Sequence, residues 1–129
     1  MKKLAALLAV IALAGFAYAA APQVTDISQS DLQAAIASKS AVLLDANGTA
    51  SYQAGHIPGA IDFAAHKAEL AKLLPADKGT LVVAYCANVN CAAYKLAAGA
   101  AQDLGYTNVK HFAPGIEGWK QSGAPVEKD

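Results

Sequence analysis

Two cysteines, Cys86 and Cys91, stand at the ends of the stretch Cys86-Ala87-Asn88-Val89-Asn90-Cys91, and they are the only thiols in the chain. A cysteine reacts as its thiolate, so the chemistry depends on whether the surroundings lower its pKa. The residues before Cys86, Leu81-Val82-Val83-Ala84-Tyr85, form an unbroken apolar run of strand length, bounded by Gly79. From Ala92 to Leu104 the sequence reads as an Ala-rich helix with Ala93, Leu96, Ala97, Ala100 and Leu104 on one apolar face. A strand running through a short loop into a helix aims loop amides and the positive end of the helix dipole at one point. Cys86 falls there, and its thiolate is expected to be stabilised as a nucleophile. Asn90 is expected to cap the helix, which would put Cys91 on the first turn with a lowered pKa of its own. The competing expectation is a structural disulfide. Closing so short a loop would contribute only about 2 kcal/mol, and whether the α-carbons come within about 7 Å is not written in the sequence.

The other elements follow as alternating strands and helices. Ser30-Asp31-Leu32-Gln33 has the pattern of a capping box and opens a helix to about Ala37, with Leu32 and Ile36 on one face. Ala41 to Asp45 is a second apolar strand, ending in an acid. Ala46 to Ala54 is a polar loop with one helical turn around Ser51 to Gln53, and Gly55 to Ile61 is a turn into a short strand. A helix over His66 to Leu74 turns Leu70, Leu73 and Leu74 inward and is stopped by Pro75. Gly105 ends the long helix, Val109 to Phe112 is a further strand, and Gly115 to Gln121 is a last short helix. This alternation predicts one α/β domain with a mostly parallel sheet covered by helices on both faces.

Residues 1–19 have the form of a secretory signal peptide. Lys2 and Lys3 precede the apolar segment Leu4 to Ala14, and Ala17-Tyr18-Ala19 offers a small-x-small cleavage site. The expected product is a single domain over residues 20–129, periplasmic or secreted from a bacterium, with no membrane attachment after cleavage. It would carry eight lysines against ten acidic residues, a net charge of −2, and no arginine at all. That balance argues against nucleic acid as a partner. It also leaves backbone amides, lysine and hydroxyls as the groups available to hold an anion.

Five motifs in order give the chain a resemblance to a known family. They are Asp45; Tyr52-Gln53-Ala54-Gly55-His56-Ile57-Pro58-Gly59-Ala60-Ile61; Tyr85-Cys86; Leu104-Gly105-Tyr106-x-x-Val109; and Gly115-Ile116-Glu117-Gly118-Trp119-Lys120-x-x-Gly123-x-Pro125. Together they resemble a single-domain rhodanese. The resemblance implies a central five-stranded sheet flanked by helices, and an activity in which Cys86 takes a sulfane sulfur from a donor. The sulfur would be held as a persulfide and passed to cyanide or a thiol, with the amides of Ala87, Asn88, Val89, Asn90, Cys91 and Ala92 around it. No cofactor and no metal are expected, since Cys86, Cys91 and a histidine match no ligand spacing.

The departures from the family pattern are specific. Its loop ends in Arg or Lys and then a hydroxyl residue, where this chain has Cys91 and Ala92. A mid-loop glycine is replaced by Val89, the arginine two places after the strand aspartate by Asn47, and the first glycine of a Gly-Gly pair by Pro114. Without the cations that hold a dianion, weak activity is expected with thiosulfate; polysulfide, a persulfide or a protein partner is the better-matched donor, and a periplasmic protein thiol is a further expected partner. Cys91, in the place of the cation, is expected to attack the persulfide, release sulfide and leave a Cys86–Cys91 disulfide.

Supporting positions are Asp45, expected to bind nearby loop amides, His56 in its turn, and Lys95, a source of positive charge near the loop. Phe112 and Trp119 read as core residues, and no role is read for His66 or His111. Two other classes remain: a thiol–disulfide redox protein using Cys86 and Cys91, although four residues separate them and not two, and a binding module that kept the fold without the activity. A phosphatase on a related scaffold is disfavoured by the absence of arginine.

Overall fold

The computed structural model describes residues 22–129 together with Ala14, Gly15 and Ala20, so the signal peptide expected over residues 1–19 lies almost wholly outside the described residues. Five strands form one sheet: β1 (Thr25–Asp26), β2 (Ala41–Asp45), β3 (Ile61–Asp62), β4 (Leu81–Tyr85) and β5 (Val109–His111). Their order is β1-β5-β4-β2-β3, and every pairing is parallel. Helices α1 (Gln29–Ala37), α2 (Thr49–Ala54), α3 (Phe63–His66), α4 (Leu70–Leu73) and α5 (Tyr94–Asp103) lie in the connections, and α6 (Gly115–Gln121) follows the last strand.

The central strand explains the two-layered core. Side chains alternate across a strand, so Val83 and Tyr85 point to one face of β4 and Val82 and Ala84 to the other. The first pair packs with Ile27, Leu32, Leu43, Phe112, Ile116 and Trp119, towards α1 and α6. The second packs with Leu44, Leu70, Leu74, Ala97, Ala98, Ala101 and Val109, towards α4 and α5. Phe112 and Trp119 meet edge to face with ring centroids 6.1 Å apart. Both faces of β4 are therefore dry, which is what its uninterrupted apolar sequence requires.

Several boundaries differ from the sequence expectation. The cap of α1 is Ser28, whose hydroxyl accepts from the Asp31 amide at 3.2 Å, so the helix starts before Ser30. The helix expected over His66 to Leu74 is broken into α3, a 3₁₀ turn at Lys67–Glu69, and α4. Leu70 and Leu74 are buried as expected, but Leu73 points outward at 43% exposure. Strand β1 was not legible at all, being two exposed residues that pair only with β5. α5 begins at Tyr94, two residues later than expected, and turns Leu96 outward while burying Ala97, Ala98 and Ala101.

Candidate functional site

Cys86 follows directly on the last residue of β4, at the carboxyl end of the sheet where open parallel sheets place their ligands. It is 1% exposed, whereas Cys91 at the far end of the loop is partly open to solvent. The two sulfurs are joined in a disulfide, with α-carbons 6.2 Å apart. The spacing left open by the sequence is thus short enough for a bridge. Between them Val89 stands out at the loop's apex, 71% exposed.

The loop backbone is fixed partly by itself. The Cys91 amide donates to the Asn88 carbonyl at 3.1 Å, and the Asn90 amide to the Asn88 side-chain oxygen at 3.0 Å. Those two amides are spent within the loop, so they are not available to an anion. The amides of Ala87, Asn88, Val89, Ala92 and Ala93 donate to no acceptor among the described residues. Asn90 is not the helix cap: Ala93 occupies that position, with no side-chain hydrogen bond. Cys91 accordingly precedes α5 and does not sit on its first turn, which removes the helical argument for a lowered pKa at that residue.

A second segment holds the loop from below. The amides of Ile116 and Glu117 donate to the carbonyls of Cys86 and Ala87 at 2.9 and 3.0 Å. This approach requires glycine at position 115, where φ is +64° and a β-carbon would lie 2.5 Å from the Cys86 oxygen. Glu117 also reaches the loop by its side chain, accepting from Asn88 Nδ2 at 3.0 Å. Asn88, Val89, Pro114, Glu117, Gly118 and Gln121 border a shallow depression of about 240 Å³ beside the loop. Sequence reasoning did not single out Gly115 or Glu117 as site residues, although both lie in the last of the five motifs.

On the other side of Cys86 lies a buried polar group. Asp45 and Tyr85 are register partners on β2 and β4. The Tyr85 hydroxyl donates to Asp45 Oδ2 at 2.7 Å and accepts from the Ile57 amide at 3.1 Å, while Asp45 Oδ1 accepts from the Asn47 amide at 2.8 Å. Burial pushes the Asp45 carboxyl above its ordinary value, against the opposing pull of these donors. Burial and the neighbouring Asp45 charge likewise push the Tyr85 phenol far up. Asp45 thus binds a loop amide as expected, and Tyr85 is the partner that the sequence did not reveal.

His56 is 2% exposed, stacked on Tyr52 with centroids 3.7 Å apart, and its Nδ1 lies 2.8 Å from the Tyr52 carbonyl oxygen. Its Nε2 lies 3.5 Å from Glu127, and its backbone bridges to the same residue. These contacts tie the Gly55–Ile61 turn to the C-terminal segment. Lys95 is exposed on the first turn of α5. His111, for which no role was read, stacks on Tyr94 at the start of α5, with ring centroids 3.4 Å apart.

With the fold and the loop established, the chain can be compared with known proteins. Residues 28–122 match the rhodanese-like domain. The chain belongs to the rhodanese-like family. Its fold superposes on a thiosulfate sulfurtransferase from Pseudomonas aeruginosa with a TM-score of 0.65 and 28% identity, covering 81% of this chain and 20% of that one. A human single-domain sulfurtransferase gives a TM-score of 0.62 at 22% identity over 77% of this chain and 97% of its own, a likeness of fold. In sequence, the chain is 39% identical over 87 residues to an HTH-type transcriptional regulator of Mycobacterium tuberculosis, covering 67% of this chain. It spans only 37% of that relative's length. The family match and the five-stranded sheet agree with the family and the fold that the five motifs implied.

Proposed function

We propose that this rhodanese-like protein is a sulfurtransferase that carries sulfane sulfur as a persulfide on Cys86, with Cys91 as the resolving thiol. The observation that carries this reading is the placement of Cys86, buried at the end of the central strand and within bridging distance of a second cysteine. In the reduced protein the Cys86 thiolate attacks the sulfane sulfur of a donor, which leaves with the electron pair of the broken bond. Cys91 thiolate then attacks Cys86 Sγ, the outer sulfur departs as hydrosulfide, and the Cys86–Cys91 bridge forms. An external thiol or cyanide competes with that step by attacking the outer sulfur, which it takes while Cys86 leaves as thiolate.

The surroundings favour donors other than thiosulfate. No cationic side chain belongs to the Cys86–Ala92 stretch, and the charged group that touches the loop is the Glu117 carboxylate. A dianion meets little compensation there. We read polysulfide or a low-molecular-weight persulfide as the donor and a periplasmic protein thiol as an acceptor, in a bacterial protein exported by the leader at residues 1–19.

Intact mass of the reduced protein after exposure to polysulfide or thiosulfate, beside Cys86→Ser, tests the reading. The expected result in wild type is sulfide release with a net loss of two hydrogens, and in Cys91→Ser a gain of one sulfur atom that reductant reverses and that Cys86→Ser does not show. Cys91→Ser should keep the added sulfur and release no sulfide in a single turnover. The bridge itself favours one second reading, a thiol–disulfide redox protein, in which the reduced chain returns to the disulfide with no sulfur transferred. Failure to react with any donor or disulfide would leave a binding module.

A further inference from the structure

The two ends of the bridge are not equivalent. Cys86 is 1% exposed at the end of β4, with its carbonyl held by the Ile116 amide, while Cys91 is partly open beside the exposed Val89 and Ala92. A thiolate opens a disulfide by attacking one sulfur and expelling the other, and it must reach the sulfur that it attacks. Of the two ends of the bridge, Cys91 is the more open to such an attack.

We propose that the Cys86–Cys91 bridge is opened at Cys91 by a dithiol reductant, and that Cys86 is the leaving group. The reductant's first thiolate forms a bond to Cys91 Sγ, the Cys86–Cys91 bond breaks, and its electron pair passes to Cys86 Sγ. The reductant's second thiol, as thiolate, then attacks its own bound sulfur and frees Cys91, which takes up a proton. The reductant ends as a disulfide, two electrons having passed to the protein. Cys86 is thus released as a thiolate in the place where sulfur loading requires it, beside a loop that keeps five amides uncommitted.

The geometry also selects a dithiol over a monothiol. After a monothiol adds to Cys91, the freed Cys86 remains about as close as the 6.2 Å α-carbon separation holds it. Its return attack is intramolecular and outruns attack by a second dilute thiol. A dithiol escapes this reversal because its own second thiol is equally close. The proposal deepens the sulfur-carrier reading and rests on it for the use of the freed thiolate, but its chemistry involves no sulfur donor.

The test uses the oxidised wild-type protein without any donor. It is mixed with glutathione or with dithiothreitol at equal total thiol, quenched in acid at intervals, alkylated and mapped by peptide mass. The expected result is a transient glutathione adduct on Cys91 with Cys86 alkylated, and bridge opening at least tenfold more complete with dithiothreitol. An adduct on Cys86 with Cys91 alkylated would overturn the proposal. So would equal opening by the two reductants, or a bridge that neither opens in the folded protein. Because sulfur loading is measured separately, on protein already reduced, either idea can fail while the other stands.

Discussion

The Tyr85 hydroxyl donates a 2.7 Å hydrogen bond to the Asp45 carboxylate; both residues are shielded from solvent, and Tyr85 stands one position before Cys86. The pair ties the carboxyl ends of β2 and β4 together through side chains as well as backbone. It also anchors the His56 turn, because the same hydroxyl accepts from the Ile57 amide.

Removing that hydroxyl should be felt as a pH-dependent loss of stability. Tyr85→Phe leaves a buried carboxylate and a buried amide each short of a partner, a loss of about 1–3 kcal/mol. Burial already raises the Asp45 pKa above 3.8, so the folded state holds this proton more tightly than the unfolded chain. The contribution of Asp45 therefore favours folding most at low pH and is lost as pH rises from 3.8 through the folded value. Tyr85→Phe should extend that loss to higher pH, since the phenol is one of the donors lowering the pKa, and Asp45→Asn should abolish it. Urea denaturation of the three proteins between pH 3.5 and 8 (about that range spans the titration) checks the order, with wild type lying between the variants in slope.

Position 115 should tolerate no side chain. In Gly115→Ala the new β-carbon would lie 2.5–2.6 Å from backbone atoms of Cys86 and Ala87, at a φ of +64°. Overpacking and left-handed strain together should remove more than about 2 kcal/mol of stability. Because the loop's floor must shift, the rate of sulfur loading on the folded fraction should also fall. Denaturation curves read the first effect and donor-dependent mass change the second.

Cys91→Lys restores a cation where this loop lacks one. A charge-assisted contact to a dianionic donor is stronger than a neutral one, so kcat/KM with thiosulfate should rise by about ten- to a hundredfold. The same variant should release no sulfide by internal resolution, since it has no second thiol. Steady-state assay with thiosulfate and cyanide, beside single-turnover sulfide release, checks both. An unchanged thiosulfate rate would show that the missing charge is not what limits that donor.

The sequence made the long buried elements legible for a physical reason. β2 and β4 are dry on both faces and read as unbroken apolar runs, and α6 matched its expected bounds residue for residue. β1 failed that test because two exposed residues carry no periodic signal and exist as a strand only by pairing with β5. The Ala-rich α5 misled in another way: alanine fits either face, so the pattern could not tell that Ala98 and Ala101 would be buried and Leu96 exposed. At the candidate site, the placement of Cys86 at the end of β4 and of Asp45 against a loop amide was legible from type and motif. The Tyr85 hydrogen bonds and the approach of Gly115 join residues far apart in the chain, and local spacing does not encode them. Asn90 is a good cap by type, but α5 opens three residues further on, after Ala93, and leaves Cys91 in the loop.

The bridge and the sheet also differ in when they can form during folding. Cys86 and Cys91 are five residues apart, so they meet by local chain motion, whereas the sheet must bring Ala41 beside Leu81 and Val82 beside Val109. The linkage is a short-range contact within a long-range fold. Oxidation can therefore precede assembly of the parallel strands without guiding them. A chain that reaches an oxidising compartment unfolded can arrive at the native sheet with the sulfurs already joined.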